Sequence, residues 1–113
     1  MGAITPVGND PESMWANLVA GKSGIGPITT FDTSRFNVHF AGEVKDFNPQ
    51  DYMEHREMRR TDRYAHYAQA ATIQAMQQAG LRMEDEDPRR VGMVIGTGIG
   101  GIKTLLDGYT PLQ

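Results

Sequence analysis

Residues 91–101 read Val-Gly-Met-Val-Ile-Gly-Thr-Gly-Ile-Gly-Gly, and no other stretch restricts the fold as much. Val91–Ile95 is a short, continuous apolar run, the pattern of a strand buried on both faces. Four of the next six residues are glycine. A turn of that kind brings bare backbone close to a neighbour or a ligand. A helix is expected to begin at about residue 101 and run to about 107. Strand, glycine turn and helix in that order are the unit of α/β architecture. A parallel sheet needs several such strands, and this is the single convincing one in the chain.

The remaining residues divide at clear punctuation. Residues 1–9 are rich in Gly and Pro and read as loop. A chain that enters a helix straight from a loop points to an element preceding it. Asp10 is a candidate N-cap with Pro11 at the first helical position, and Gly21 is a suitable stop, giving a helix over about 11–20. Residues 21–34 read as loop, and Val38, Phe40 and Val44 suggest a modest strand near 37–44. Pro49 is expected to start a short helical turn through Tyr52. Residues 55–79 contain neither Gly nor Pro and predict one long helix ended by Gly80. Ala65, Ala68, Ala71, Ala75 and Ala79 fall along one side of it, a stripe that admits close packing. Glu84–Asp87, ahead of Pro88, reads as a solvated acidic turn, and Gly108–Gln113 shows no fold of its own.

Several motifs carry chemical readings. Gly96-Thr-Gly98-Ile-Gly100-Gly101 satisfies GxGxxG, but a lone fingerprint is weak, and the acidic partner about 20 residues on has no position in the chain. A glycine turn between packed layers is the better reading. Arg56, Arg59, Arg60 and Arg63 recur at three- and four-residue spacing and would share one helix face. Spacing alone favours a solvated basic face balanced by Glu54, Glu57 and Asp62. The alternative is an anion-docking face, since guanidinium groups bind carboxylates and phosphates in bidentate fashion. His39, His55 and His66 lack any metal-ligand spacing, and Ser13, Ser23 and Ser34 lack a nucleophile-elbow context. No metal site is expected.

Composition excludes broad classes. The net charge is −3 and the pI about 5.5, which argues against bulk nucleic-acid binding. No apolar run approaches the roughly 20 residues of a membrane span, and no secretory signal is visible. With no cysteine there is neither a disulfide nor a thiolate nucleophile in these residues. A cytoplasmic protein is expected.

Taken in order, the motifs resemble the N-terminal part of the β-ketoacyl-acyl carrier protein synthases, of the elongating type called synthase II. The likeness begins at Gly2–Asn9 and continues through Leu18–Ile25, Phe31-Asp32 and Ala41–Phe47. It runs on through Arg59-Arg60-Thr61-Asp62-Arg63 and ends with Val94–Gly101. The resemblance implies a thiolase-like α/β fold of two stacked halves. Residues 1–113 would form a partial N-terminal ketosynthase domain, an incomplete portion of the first half. A first strand would end just before Gly2, and the catalytic cysteine and both catalytic histidines would lie beyond Gln113. His39, His55 and His66 do not match those histidines, so no catalytic residue is expected here.

By position in the family, Arg56, Arg59 and Arg60 would contact the acidic acyl carrier protein, and Ile99 would line and gate the acyl pocket. An isoleucine at that place in the glycine turn favours synthase II over synthase I. The implied reaction is a decarboxylative Claisen condensation of an acyl group with malonyl-acyl carrier protein. It needs no cofactor beyond the phosphopantetheine of the carrier. The implied partners are the carrier and a second copy in a homodimer, with neither nucleic acid nor membrane. A non-catalytic module that binds the carrier or pairs with a synthase is the alternative. The isolated chain is expected to be marginally stable or molten, because Trp15 and the alanine stripe lack partners to bury them.

Overall fold

The computed structural model describes residues 1–110. Its first helix, α1 (Pro11–Val19), forms for the reasons legible in its ends. The Asp10 side chain accepts from the Ser13 N–H at 2.7 Å, and Pro11 sits where a missing N–H breaks no helical bond. Ala20 caps the other end, followed by Gly21 in the left-handed region at φ +68°.

The segment read as loop over 21–34 contains a strand. β1 (Ile25–Pro27) pairs antiparallel with β2 (Phe40–Gly42), in the register Ile25–Gly42, Gly26–Ala41 and Pro27–Phe40. Ile28 N–H extends the ladder to the His39 carbonyl at 2.9 Å. A three-residue strand holding a glycine and a proline has no propensity of its own. It exists because its partner supplies the hydrogen bonds, and its proline is tolerated because the strand lies at an edge. β2 is shorter than the 37–44 expectation. A 3-10 turn at Pro49–Asp51 follows, capped by the Asn48 side chain.

The single long helix over 55–79 is two helices. α2 (His55–Arg60) stops at Thr61, where φ −123° and ψ 156° are extended, and Asp62 is extended too. α3 (Arg63–Ala79) starts afresh, with the Asp62 carboxylate accepting from Arg63 N–H at 2.7 Å. Aspartate ahead of a helix is a capping residue as well as a helix-interior one, and here the cap prevails. Gly80 ends α3 at φ +64°, with its N–H on the Gln77 carbonyl and Leu81 N–H on that of Met76.

The N-terminal residues lie across α3. Thr5 and Gly8 exchange backbone hydrogen bonds at 2.9 and 3.2 Å. Ala3 N–H donates to Gln74 Oε1 at 2.9 Å, and Gln74 Nε2 donates to the Asn9 carbonyl and the Tyr52 hydroxyl at 2.6 and 2.8 Å. A side chain at Gly2 would overlap the Ala71 carbonyl, so only glycine allows this approach. The face of α3 that is fully covered is therefore marked by Ala70, outside the alanine stripe.

Val91–Ile95 is the largest departure. It forms no sheet pairing among the described residues, and Val94 is 99% exposed. An apolar run becomes a buried strand only where neighbouring strands accept its backbone groups. The glycine turn follows, with φ +79° at Gly100, and then α4 (Ile102–Tyr109) begins where expected and runs two residues further. Of the segment Gly108–Gln113, read as having no fold of its own, Gly108 and Tyr109 belong to α4. Residues 111–113 lie outside the described part.

Candidate docking face and pocket wall

Arg56, Arg59 and Arg60 fall together on α2, three and four residues apart, and all three are exposed. Arg59 and Arg60 occupy the last turn, where cations oppose the negative end of the helix dipole. Arg63 does not join them as the spacing predicted. It belongs to α3, on the far side of the break at Thr61–Asp62. Glu54, Glu57 and Asp62 form no close ion pair with these arginines among the described residues. Among the described residues the ion pairs belong to Arg82 and Lys103, and none involves the α2 arginines.

Short as it is, α2 is held at several points. His66 on α3 places Nε2 3.0 Å from the Met58 carbonyl. Thr61 Oγ1 donates to the Glu57 carbonyl at 2.9 Å, and Gln50 Nε2 lies 2.9 Å from His55 Nδ1. Phe47 stacks on Tyr52 and meets Tyr67 of α3 edge-on at 5.1 Å, seating the preceding turn against the same helix.

Asp62 has a second partnership that periodicity did not reveal. Its Oδ2 accepts from Thr104 Oγ1 at 2.6 Å and lies 3.4 Å from the Thr104 N–H, across 42 residues. One carboxylate thus caps α3 and the start of α4. The Thr104 hydroxyl and then the Arg63 amide favour its charged form and hold its pKa below the usual carboxylate range. A side chain at Gly101 would lie 2.7 Å from Asp62 Oδ2, so the last glycine of the turn gives the carboxylate room. The signal for Asp62 was present in the sequence as an aspartate followed by a helix-forming run. Nothing local indicated Thr104.

This arrangement bears on the GxGxxG reading. A dinucleotide site would set pyrophosphate on the N-terminus of α4. That position faces a carboxylate, and no parallel strand leads into the turn among the described residues. Ile99 stands at the tip of the turn, 76% exposed. Beneath the turn, Met93, Ile95, Gly96 and Thr97 face Tyr64, Ala65, Ala68, Gln69, Thr72 and Ile73 of α3 across an apolar cleft of about 390 Å³. Part of the alanine stripe therefore receives the glycine segment, while Ile99 itself is not in that wall.

Among the described residues no three His, Cys, Asp or Glu side chains gather as a metal-ligand set. No helix among them is long and apolar enough to cross a membrane.

Comparison with known proteins covers nearly the whole chain. Residues 1–112 match the family described as beta-ketoacyl synthase, N-terminal domain. The chain is 45% identical to 3-oxoacyl-[acyl-carrier-protein] synthase 2 of Synechocystis sp. over 99% of its own length and 27% of the relative's. It is 44% identical to the protein of the same name from Staphylococcus aureus, over 92% of this chain and 25% of that one. Among solved structures, one described as the ishigamide ketosynthase/chain length factor superposes with a TM-score of 0.84 at 36% identity. That superposition covers 98% of this chain and 28% of the other. The α/β expectation thus holds at the level of the fold, although residues 91–95 join no sheet among the described residues. Spanning about a quarter of the length of the curated relatives it matches, and folded like the corresponding part of a ketosynthase, this chain belongs to the beta-ketoacyl synthase family and matches its N-terminal domain.

Proposed function

We propose that the chain is the carrier-docking and pocket-wall segment of an elongating 3-oxoacyl-acyl carrier protein synthase. The observation that carries this reading is the exposed trio Arg56, Arg59 and Arg60 on a tethered helix, none of them ion-paired to a carboxylate among the described residues. Such a face is matched to an acidic protein surface, since fixed guanidinium groups steer and orient an anionic partner. The acyl carrier protein in the name of the curated relatives is a partner of that chemistry. Ile99, on the exposed turn, is assigned to the acyl-pocket wall, completed by residues from other parts of a whole synthase.

The chemistry belongs to groups outside these residues. A cysteine thiolate attacks the acyl thioester and releases the carrier's thiol. Malonyl-carrier then loses carbon dioxide, and the resulting carbanion equivalent attacks the acyl-enzyme carbonyl. A carbon–carbon bond forms and the cysteine thiolate leaves. These 113 residues contain no cysteine. Their part is to bring the carrier to the site and to shape the pocket. The reading requires no resident cofactor, and it includes a homodimer in a cytoplasmic setting.

The test uses a chimera in which residues 1–112 replace the matching stretch of the Synechocystis relative. Arg59→Glu with Arg60→Glu should raise the KM for the carrier at least about tenfold and leave kcat nearly unchanged. An unchanged KM overturns the docking face. The purified chain alone should show no condensation. Carrier-dependent carbon–carbon bond formation by it would sink the placement of the chemistry elsewhere. The exposed arginine face also fits a second reading, a non-catalytic module that binds the carrier or pairs with a synthase. Under that reading the short chain itself, purified, binds carrier with an affinity sensitive to the same two arginines.

A further inference from the structure

We infer that Asp62 is a positioning residue that joins the arginine helix to the glycine turn, so that a load on α2 reaches the segment carrying Ile99. The naming of the carrier as that load rests on the docking reading above; the link itself does not.

The path is continuous in hydrogen bonds. α2 is tied to α3 through the Met58 carbonyl and His66 Nε2, 3.0 Å apart. α3 begins on the Asp62 carboxylate, whose Oδ1 accepts from Arg63 N–H at 2.7 Å. The other oxygen accepts from Thr104 Oγ1 at 2.6 Å, inside the first turn of α4. Leu105 N–H returns to the Gly101 carbonyl at 3.0 Å, and Gly100 N–H to Thr97 Oγ1 at 3.1 Å. Ile99 lies between those last two anchors. A hydrogen bond to a charged acceptor is both strong and directional, so each oxygen of Asp62 restrains a different helix.

Two further features show that the junction is built rather than incidental. The helical pattern of residues 55–79 is interrupted at Thr61–Asp62, which frees the carboxylate to turn towards α4. Gly101 stands where any side chain would meet Asp62 Oδ2 at 2.7 Å. Around the junction, Arg59, Arg60, Thr61, Tyr64, Ala65, Gly101 and Thr104 border a cleft of about 400 Å³, so two docking arginines and the turn share one wall.

The decisive variant is Thr104→Val, which removes the hydroxyl and leaves the shape, with Thr104→Ser as rescue. Amide hydrogen exchange is measured in the 113-residue chain and in the chimera, and the chimera decides wherever the chain alone lacks protection. Thr104→Val should speed exchange at Gly100, Ile102 and Leu105, and also at Arg63 across the junction, by about fivefold. Thr104→Ser should restore it. A rise confined to α4 overturns the inference. Next, purified acyl carrier protein is added. It should slow exchange at Gly100 and Ile102 in the parent chimera and not in Thr104→Val. Protection of α2 without any response at the turn overturns the inference and leaves the docking reading standing. Absence of carrier binding, with exchange at Arg63 still answering Thr104→Val, removes the docking reading and supports the link.

Discussion

At the scale of single residues, Asp62 holds more of the arrangement than its half-buried position implies. Its folded pKa lies below the ordinary value, chiefly through the Thr104 hydroxyl and the Arg63 amide, with burial opposing. A depressed carboxyl pKa contributes stability above the unfolded value, about 3.9 for aspartate, and loses it as pH falls through the folded value. The α3–α4 junction should therefore be intact near neutrality and loosen in acid. Monitoring the Thr104 amide by NMR across pH 6 to 2 checks this; a signal unchanged to the acid end contradicts the assignment. Asp62→Asn should abolish the acid transition while retaining part of the cap. Glu43 has a similar depression, set first by the Thr29 hydroxyl, and acts on the β1–β2 hairpin in the same direction.

At the scale of elements, helix ends decide where the arginines stand. α3 is terminated by Gly80 in the left-handed region, which a residue with a Cβ enters at a cost of about 1–2 kcal/mol. Gly80→Ala should reduce stability by roughly 1 kcal/mol, read in the chimera by chemical denaturation. The same variant should expose the Leu81 amide, which bonds to the Met76 carbonyl. The break between α2 and α3 decides which arginines stand together. A continuous helix would have carried Arg63 along with Arg56, Arg59 and Arg60. The extended Thr61–Asp62 pair sets Arg63 apart and leaves a trio on a short, separately tethered helix.

At the scale of the whole molecule, the chain is open. Its radius of gyration is 16.9 Å, against about 13 Å for a compact domain of this length. Among the described residues the buried apolar side chains are Met53 and Ala70, while Trp15 is 67% exposed. So little burial cannot offset the conformational entropy of ordering such a chain. The purified chain should melt broadly and bind a hydrophobic dye. A sharp, cooperative transition would contradict this. The chimera, which supplies facing layers, should melt cooperatively. Val91–Ile95, unpaired among the described residues, should also make the isolated chain prone to aggregate at moderate concentration.

What could be read from the residues alone was mostly local. Asp10 and Pro11 start α1, Gly21 and Gly80 terminate helices, and Pro49 opens a turn, because caps and left-handed stops act within a few residues. The ordered motifs, from Gly2–Asn9 to Val94–Gly101, were enough to place the family. Long-range partnership was not legible. β1 exists only through β2, since three residues with a glycine and a proline have no strand preference without a ladder to join. Val91–Ile95 has the composition of a strand and no pairing among the described residues, since composition states what a segment can bury, not whether a neighbour is there. The break at Thr61–Asp62 was hidden because aspartate is acceptable both inside and ahead of a helix. The Thr104 hydroxyl, 42 residues away, selects the second role by giving the carboxylate a partner that a continuous helix would deny it.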